Sequence, residues 1–195
     1  AASPDGLKTC AGDRTRARFS LLGQILSAPY YQRLRTEEQL GYVVFATQYP
    51  QQTVPGLAFI VQSPQASPQD IVDSSLRFFA DFEATLANMS DAEFSSYRQG
   101  LKTLLLEKPK NMGEKFTRFW RDVEVQRSGF DTNEAIAAGV EKLTLDDIRA
   151  LYQNALLEKG RPWILVTQGG PLQDWAALES LSRPGLNRFT VPAQN

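Results

Sequence analysis

The sequence predicts an α+β fold, a two-layer sandwich in which a mostly antiparallel sheet is covered on one face by helices. Three observations predict it. Helical periodicity fills most of the 195-residue chain. Two runs rich in β-branched and aromatic residues stand close together in the first third of the chain. A third such run follows the last helical segment, so strands at both ends of the sequence enclose the helices.

The chain opens with a helix and a hairpin. Apolar side chains at helical spacing predict a helix over residues 14–39, broken near Pro29 because proline disrupts helical hydrogen bonding. At Gly41 the period changes, and the runs at 42–47 and 57–62 carry the residue types that suit a pleated strand. These two strands are therefore expected to pair as an antiparallel hairpin.

Capping residues mark where the later helices begin. Ser67 precedes a helical pattern that has Pro68 at its first position and an aspartate at its third. Ser90 with Glu93 forms a capping box for the next helix. The remaining elements are a helix at roughly 112–127 with Phe116, Phe119, Trp120 and Val123, a short helix near 133–142, a helix capped by Thr144 with Asp147, and a strand at 163–167.

We expect these elements to form a single α+β domain over residues 1–169. Only Gly6–Ala11 can supply a strand before the first helix, so two expectations stay open: the sheet is incomplete at that end, or the sequence begins inside the domain. Residues 170–195 form a C-terminal extension whose proline and glycine residues indicate little regular structure. The strand after Gly41 is expected to be central, with Phe45 and Phe59 buried against the helices.

Composition excludes several functions. The chain has 21 Lys and Arg against 22 Asp and Glu, a net charge of -1, which gives no field for nucleic acid or an anionic membrane. No apolar run approaches the ~18 residues of a transmembrane helix. The chain has no histidine and one cysteine, so it lacks the groups of a Ser-His-Asp triad, a Cys-His pair or a His-containing zinc site. A hydrolytic centre must therefore use carboxylates or lie on another polypeptide.

Other short motifs fit ordinary structural roles better than chemistry. Glu37 and Glu38 are adjacent and point about 100° apart on a helix, so solvated charges are the simpler interpretation than a catalytic pair. Asp146 and Asp147 fit the start of a helix, where carboxylates are favoured. The arginines within 14–18 fit an exposed helix face better than an anion site.

The segment from Tyr31 to Tyr42 carries the sharpest chemical signal. It is a helix that runs into a strand through Gly41, which brings Arg35 and Tyr42 close to the junction. A guanidinium and a phenol placed there can donate hydrogen bonds to a peptide carbonyl or an oxyanion. The ordinary alternative pairs Arg35 with a nearby carboxylate and packs Tyr42 within the sheet.

The same segment resembles a known family. The string LRTEEQLGYVVFA is similar to the last of four homologous domains in the pitrilysin and insulin-degrading-enzyme family of zinc metallopeptidases. The resemblance continues through GLAFIVQS, FTRFWRDVEVQRSGFDT and LTLDDIRALYQNAL to WILVTQG, and covers roughly residues 17–169. It implies a clamshell chamber in which the first domain carries an H-x-x-E-H zinc site and the last domain faces it.

The resemblance also implies roles for individual residues. Arg35 and Tyr42 match the arginine and tyrosine that orient the substrate backbone and help to stabilise the tetrahedral oxyanion. No catalytic residue and no metal ligand is expected on this chain, and zinc is expected in the catalytic domain of the parent protein. The chain alone is therefore expected to bind no cofactor and to show no peptidase activity.

The partners that follow from the resemblance are the N-terminal catalytic half of the parent peptidase and peptide substrates, with no nucleic acid and no membrane. The resemblance favours the periplasm and leaves the cytoplasm open. The alternative is a structural or scaffold domain of the same fold without peptidase activity, since the family includes such relatives. It also includes a peptidase linked to pyrroloquinoline quinone biosynthesis.

Overall fold

The protein is mostly helical. A computed structural model describes residues 12–51, 54–124, 129–157, 164–167 and 187–190. The helices are α1 (Asp13–Tyr31), α2 (Pro68–Ala87), α3 (Asp91–Leu106), α4 (Met112–Glu124), α5 (Thr132–Glu141) and α6 (Leu145–Tyr152). Two π-helical segments, Gln32–Glu37 and Gln153–Leu157, directly continue α1 and α6. The predicted break near Pro29 is wrong, because α1 contains Pro29 and changes type only after Tyr31. The strands are β1 (Val43–Gln48), β2 (Leu57–Gln62), β3 (Ile164–Thr167) and β4 (Asn187–Thr190).

The described strands form two small sheets. β1 pairs with β2, and the bonds from Tyr42 N to Gln62 O at 3.0 Å and from Tyr49 N to Gly56 O at 2.8 Å make the pair antiparallel. The predicted hairpin is confirmed. β3 pairs with β4 in parallel, with Ile164 opposite Asn187. The helices and the small antiparallel sheet agree with the predicted fold class. Their arrangement as a two-layer sandwich stays a prediction.

The described residues divide into two compact units. The first comprises those up to Pro29 together with Ala46–Phe59 and Met89–Ile148. The second comprises Tyr30–Phe45, Ile60–Asn88 and those from Arg149 onwards. Each unit has its own buried interior, so each is described by itself.

The first unit is built around one face of α1. Leu21, Leu22 and Ile25 have no exposed surface, and α3 and α5 contribute further buried apolar side chains. α1 approaches the end of β1 closely, because a Cβ added at Gly23 would lie 2.9 Å from the backbone nitrogen of Gln48. Only a residue without a side chain fits at that crossing.

The second unit has an aromatic interior. The rings of Tyr30 and Phe78 meet edge to face at 5.3 Å, and Phe78 stacks on Phe82 at 5.4 Å. The hydroxyl of Tyr152 donates to the carbonyl of Phe79 at 2.6 Å, which satisfies its polar atom inside the core. Burial raises the pKa of Tyr30 to about 12, although a hydrogen bond with a serine hydroxyl opposes that shift.

The predicted helix starts are confirmed. Ser67 accepts from the backbone nitrogen of Asp70, and Asp70 accepts from the backbone nitrogen of Ser67, so both form a capping box for α2. Ser90 and Glu93 do the same for α3. At α6, Thr144 N donates to the carboxylate of Asp147 at 3.1 Å, and Asp147 N donates to the Thr144 hydroxyl at 3.2 Å. These reciprocal bonds satisfy backbone groups that helix ends leave free.

One prediction about the hairpin is wrong. Phe45 is 40% exposed and Phe59 is half-buried, whereas Val44 and Ala46 are buried. Successive strand residues point to opposite faces of a sheet. The prediction assigned Phe45 to the buried face because it is large, and this placed every residue of β1 on the wrong face.

Some predicted segments lie outside the described residues. These are the possible strand at Gly6–Ala11, the end of the helix predicted to reach residue 127, the first residue of the strand predicted at 163–167, and most of the extension at 170–195. Among the described helices, none is both long and apolar enough to cross a membrane.

Candidate functional site

The junction between α1 and β1 is an irregular turn with defined geometry. After Tyr31 the helix widens into the π-helical segment, in which Leu34 is buried. Glu38 N donates to Arg33 O and Leu40 N donates to Leu34 O, both at 2.9 Å. The first of these bonds spans five residues, the spacing of a π-helix, which often occurs at functional sites, and the second spans six. The turn reverses at Gln39, whose φ of 52° lies in the left-handed region.

Gly41 fixes where the turn meets the sheet. A Cβ at this position would lie 2.6 Å from the carbonyl oxygen of Gln62 and 3.0 Å from a methyl group of Val61. The next residue, Tyr42, donates its backbone N–H to the same carbonyl at 3.0 Å. Only glycine lets the backbone approach closely enough to make this bond, so Gly41 sets the position of Tyr42 at the start of the hairpin.

Arg33 anchors the turn through carboxylates. Its Nε donates to Glu38 at 2.7 Å and its Nη2 donates to Asp81 of α2 at 3.3 Å, while Glu37 lies 3.7 Å from Nη1. These bonds and the neighbouring charges raise the pKa of Arg33, with the Glu38 bond as the main cause. Arg33 therefore ties the turn to α2 as a permanent cation.

Glu38 completes this anchor from the other side. Its second carboxylate oxygen accepts from the hydroxyl of Ser74, which is buried on α2, and lies 3.8 Å from Arg77. Partial burial raises the pKa of Glu38, but the hydrogen bonds from Ser74 and Arg33 outweigh it, so the pKa lies below its ordinary value. The carboxylate is ionised at neutral pH and holds the turn against α2.

The two residues singled out by the sequence lie on this anchored turn with their polar groups unengaged. Arg35 is half-buried in the π-helical segment, and Tyr42 is 55% exposed at the start of β1. Within the part of the chain that the structure describes, no hydrogen bond or ion pair engages the guanidinium of Arg35 or the hydroxyl of Tyr42. The carboxylates that could have paired with Arg35 contact Arg33 instead.

The contacts of the ordinary alternative are not seen among the described residues. Tyr42 is not packed within the sheet, and Arg35 is not held by a described carboxylate. A planar guanidinium and a phenol therefore remain available as hydrogen-bond donors on one turn. Sequence reasoning missed the anchor itself, although Arg33 with Glu37 has the i,i+4 spacing of a helical ion pair.

The other charged motifs have structural partners. Asp147 caps α6 and also accepts from Arg14 at 3.1 Å and from Arg18, so these arginines form no separate anion site. Burial raises the pKa of Asp147, but the bonds from Thr144, Arg18 and Arg14 outweigh it and hold the pKa well below its ordinary value. In the described ranges, no group of three or more acidic or thiol side chains is arranged to hold a metal ion.

Comparisons with known proteins point to one family. The family model described as "PQQ synthase PqqF-like, C-terminal lobe domain 4" matches residues 21–120, which is half of the chain. Protease 3 of Escherichia coli strain K12 is 34% identical over 142 residues, which cover 73% of this chain and 15% of that protein. Insulin-degrading enzyme of Homo sapiens is 32% identical over 139 residues, which cover 71% of this chain and 13% of that protein.

A solved structure gives the same result for the fold. The crystal structure of pitrilysin aligns with a TM-score of 0.67 and 32% identity, over 75% of this chain and 16% of that chain. The chain thus spans about 15% of the length of the Protease 3 sequences that it matches.

Proposed function

Because the chain belongs to the pitrilysin and insulin-degrading-enzyme family as a C-terminal domain, we propose that it serves as a noncatalytic wall of a zinc endopeptidase. In this proposal the domain closes the substrate chamber and contributes Arg35 and Tyr42 to the bound peptide. The observation that carries it is the anchored turn, where both donors are unengaged among the described residues. The two-layer sandwich over residues 1–169 is part of the same proposal.

The chemistry of the turn fits this role. The phenol of Tyr42 can donate one hydrogen bond to an oxygen on which negative charge develops, and the guanidinium of Arg35 can hold a substrate carbonyl. A zinc ion supplied by the catalytic half of the parent would activate the attacking water there. This chain has no histidine, so an H-x-x-E-H site must lie elsewhere in the parent.

Rigidity is what makes such donors effective. A donor stabilises a transition state best when it is already held in place before the reaction, since no free energy is then spent on reorienting it. Arg33, Glu38 and Gly41 hold the turn on which Arg35 and Tyr42 sit. The partners proposed are the N-terminal catalytic half and peptide substrates.

Kinetics on the full-length parent test the role of the two donors. Tyr42→Phe should lower kcat and kcat/KM together, by an amount equivalent to roughly 2.7 to 4 kcal/mol if the hydroxyl meets the oxyanion. Arg35→Lys should fail to restore activity, because an ammonium does not reproduce a planar multidentate donor. Thermal unfolding should be unchanged in both variants.

Matched controls make this test specific. Tyr49 is also 55% exposed and lies on the same hairpin, so Tyr49→Phe should leave kcat unchanged. Arg16 is half-buried like Arg35, and Arg16→Lys serves as its control. An unchanged kcat in Tyr42→Phe would remove Tyr42 from the mechanism. Inactivity of the unaltered parent towards peptides would instead favour the scaffold alternative.

The metal content of the chain gives an independent test. The isolated 195-residue chain should purify without stoichiometric zinc and without peptidase activity, because it has no imidazole and a single thiol. Metal analysis by mass spectrometry and a peptide cleavage assay measure both. One tightly bound zinc per chain would contradict the assignment of the metal to the catalytic half.

A further inference from the structure

The carboxylates around the candidate site contact one of its two arginines and not the other. Arg33 donates from Nε to Glu38 at 2.7 Å and from Nη2 to Asp81 at 3.3 Å, and its Nη1 lies 3.7 Å from Glu37. Arg35 is two residues further on, and none of these three carboxylates contacts its guanidinium in the described part of the chain. The charge of the turn is therefore distributed unequally between two neighbouring arginines.

The π-helical spacing of the turn explains this distribution. In an α-helix, side chains three and four residues apart are neighbours, so Glu38 would lie beside Arg35. In the turn, Glu38 N instead donates to Arg33 O at 2.9 Å, a bond that spans five residues. The same spacing brings the Glu38 carboxylate to Nε of Arg33. The wider turn thus directs Glu38 to Arg33 instead of Arg35.

α2 holds the same carboxylate from the opposite side. The hydroxyl of Ser74, which has no exposed surface, donates to the second oxygen of Glu38. Arg77 lies 3.8 Å from that oxygen, which is too far for a hydrogen bond, so Arg33 is the cation that binds Glu38 most closely. Without Arg33, Glu38 would keep only a distant cation from α2, and Arg35 would be the nearest other cation in sequence.

We propose that Arg33 is a positioning residue for Arg35: it binds the carboxylates of the turn and so keeps the neighbouring guanidinium unpaired for a peptide carbonyl. A guanidinium that is paired with a carboxylate has fewer N–H groups left for a substrate, which must then displace the carboxylate. Arg33 itself does not contact the peptide. This inference rests on the proposed function, in which Arg35 binds the peptide.

Kinetics of the full-length parent test this role with two substitutions. Arg33→Gln removes the cation and releases Glu38, so KM should rise roughly two- to fivefold, which corresponds to the strength of a partly exposed ion pair. The change in kcat should be smaller, since an interaction made equally in the ground state and the transition state affects KM alone. Adding Glu38→Gln removes the competing carboxylate and should restore most of the original KM.

A purely structural role of Arg33 predicts the opposite ranking. If Arg33 only ties the turn to α2, the double variant also loses the bond between Glu38 and Ser74 and should be at least as impaired as Arg33→Gln. A KM that is not restored in the double variant would overturn the proposal. An unchanged KM in Arg33→Gln would overturn it as well.

Two further variants serve as controls. Arg33→Lys keeps the positive charge, so its KM should stay closer to that of the unaltered protein than the KM of Arg33→Gln does. Lys102→Gln also removes one cation from a partly exposed ion pair, because Lys102 binds Glu141 at 3.0 Å in the first unit. It frees no carboxylate of the turn and should leave KM unchanged.

Labelling of arginine gives a readout that does not use catalysis. Phenylglyoxal modifies unpaired guanidinium groups, and peptide mass spectrometry measures the modified fraction at each position. In the unaltered parent, Arg35 should react faster than Arg33. In Arg33→Gln the reaction of Arg35 should slow by roughly two- to fivefold, and it should recover in the double variant.

The labelling also keeps the test decisive if a variant fails to fold. Reaction of Arg35 that is no faster than that of Arg33 in the unaltered protein would overturn the proposal without any variant. The expected labelling pattern in a parent that cleaves no peptide would uphold the role of Arg33 and overturn the proposed function. Failure of the one is therefore distinguishable from failure of the other.

Discussion

α2 and α4 are similar helices with opposite surroundings. Each begins with a side chain that caps a backbone N–H, Ser67 for α2 and Asn111 for α4. The aromatic stripe of α2 is buried, with Phe79 only 2% exposed, whereas Phe116 on α4 is 62% exposed. The comparison teaches that local sequence decides whether a helix forms, while the rest of the molecule decides which of its faces is covered.

The polar sides of the two helices differ as well. The polar side of α2 carries Ser74 and Asp81, which hold Glu38 and Arg33 of the turn. α2 therefore supports the aromatic core and the candidate site at once. The polar side of α4 attaches that helix to its own unit through Arg118. Substitutions in α2 should consequently affect stability and the site together.

The largest expected effect is a difference in stability between variants in the aromatic stripe of α2 and variants in that of α4. Phe79→Ala should lower the free energy of unfolding of this chain by roughly 3 to 5 kcal/mol, because it leaves a cavity in a packed core. Phe116→Ala should lower it by less than about 1 kcal/mol, since most of that ring is already in water. Urea unfolding measures both. Similar losses for the two variants would mean that the aromatic stripe of α4 is covered within the chain itself.

Removing the N-terminal cap of α2 or of α4 should have smaller effects, which also distinguish the two helices. Ser67→Ala should cost about 1 kcal/mol of global stability, because α2 unfolds only with the core it supports. Asn111→Ala should mainly increase local exchange in the first turn of α4, with little change in global stability. Hydrogen exchange alongside urea unfolding distinguishes the two. An equal global loss would show that α4 is as tightly coupled to its unit as α2.

The smallest expected effect is a change in stability at acidic pH, caused by Glu38, which bonds to Ser74 of α2. The pKa of Glu38 lies below its ordinary value of 4.5 in the folded protein. Its contribution to stability is therefore fully present above pH 4.5 and is lost as the pH falls from there through the folded pKa. Glu38→Gln should flatten the decrease in melting temperature in this range. Glu37→Gln, at the exposed neighbouring position 3.7 Å from Arg33, is the comparison and should change the slope less than Glu38→Gln does.

Much of the backbone could be predicted from short-range signals. The capping boxes at Ser67 and Ser90 and the hairpin that follows Gly41 depend on neighbouring residues, and the structure confirms them. The face of β1 could not be predicted this way. Alternation gives two faces, and which face is buried depends on parts of the chain distant in sequence. In the structure Val44 and Ala46 are buried and Phe45 is exposed.

The candidate site also combines features that short-range signals predict with features that depend on tertiary contacts. The motif around Arg35 and Tyr42 was recognisable as a string, and Gly41 marked the change from helix to strand. Which arginine keeps its guanidinium unengaged could not be predicted, because Arg33 and Arg35 are two residues apart and both lie near carboxylates in sequence. The outcome depends on the fold of the turn, which brings Glu38 to 2.7 Å from Arg33 Nε, and on α2, whose Asp81 accepts from Arg33 at 3.3 Å.

The exposed aromatic side of α4 has a practical consequence for handling the domain by itself. A net charge of -1 gives molecules of this chain almost no mutual repulsion, so rings such as Phe116 and Trp120 can bring them together as concentration rises. Precipitation during purification would then reflect association through these exposed apolar side chains rather than a defect in folding. Glutamine at both positions, on the water-facing side of a capped helix, is a direct route to a sample that stays dispersed for spectroscopy.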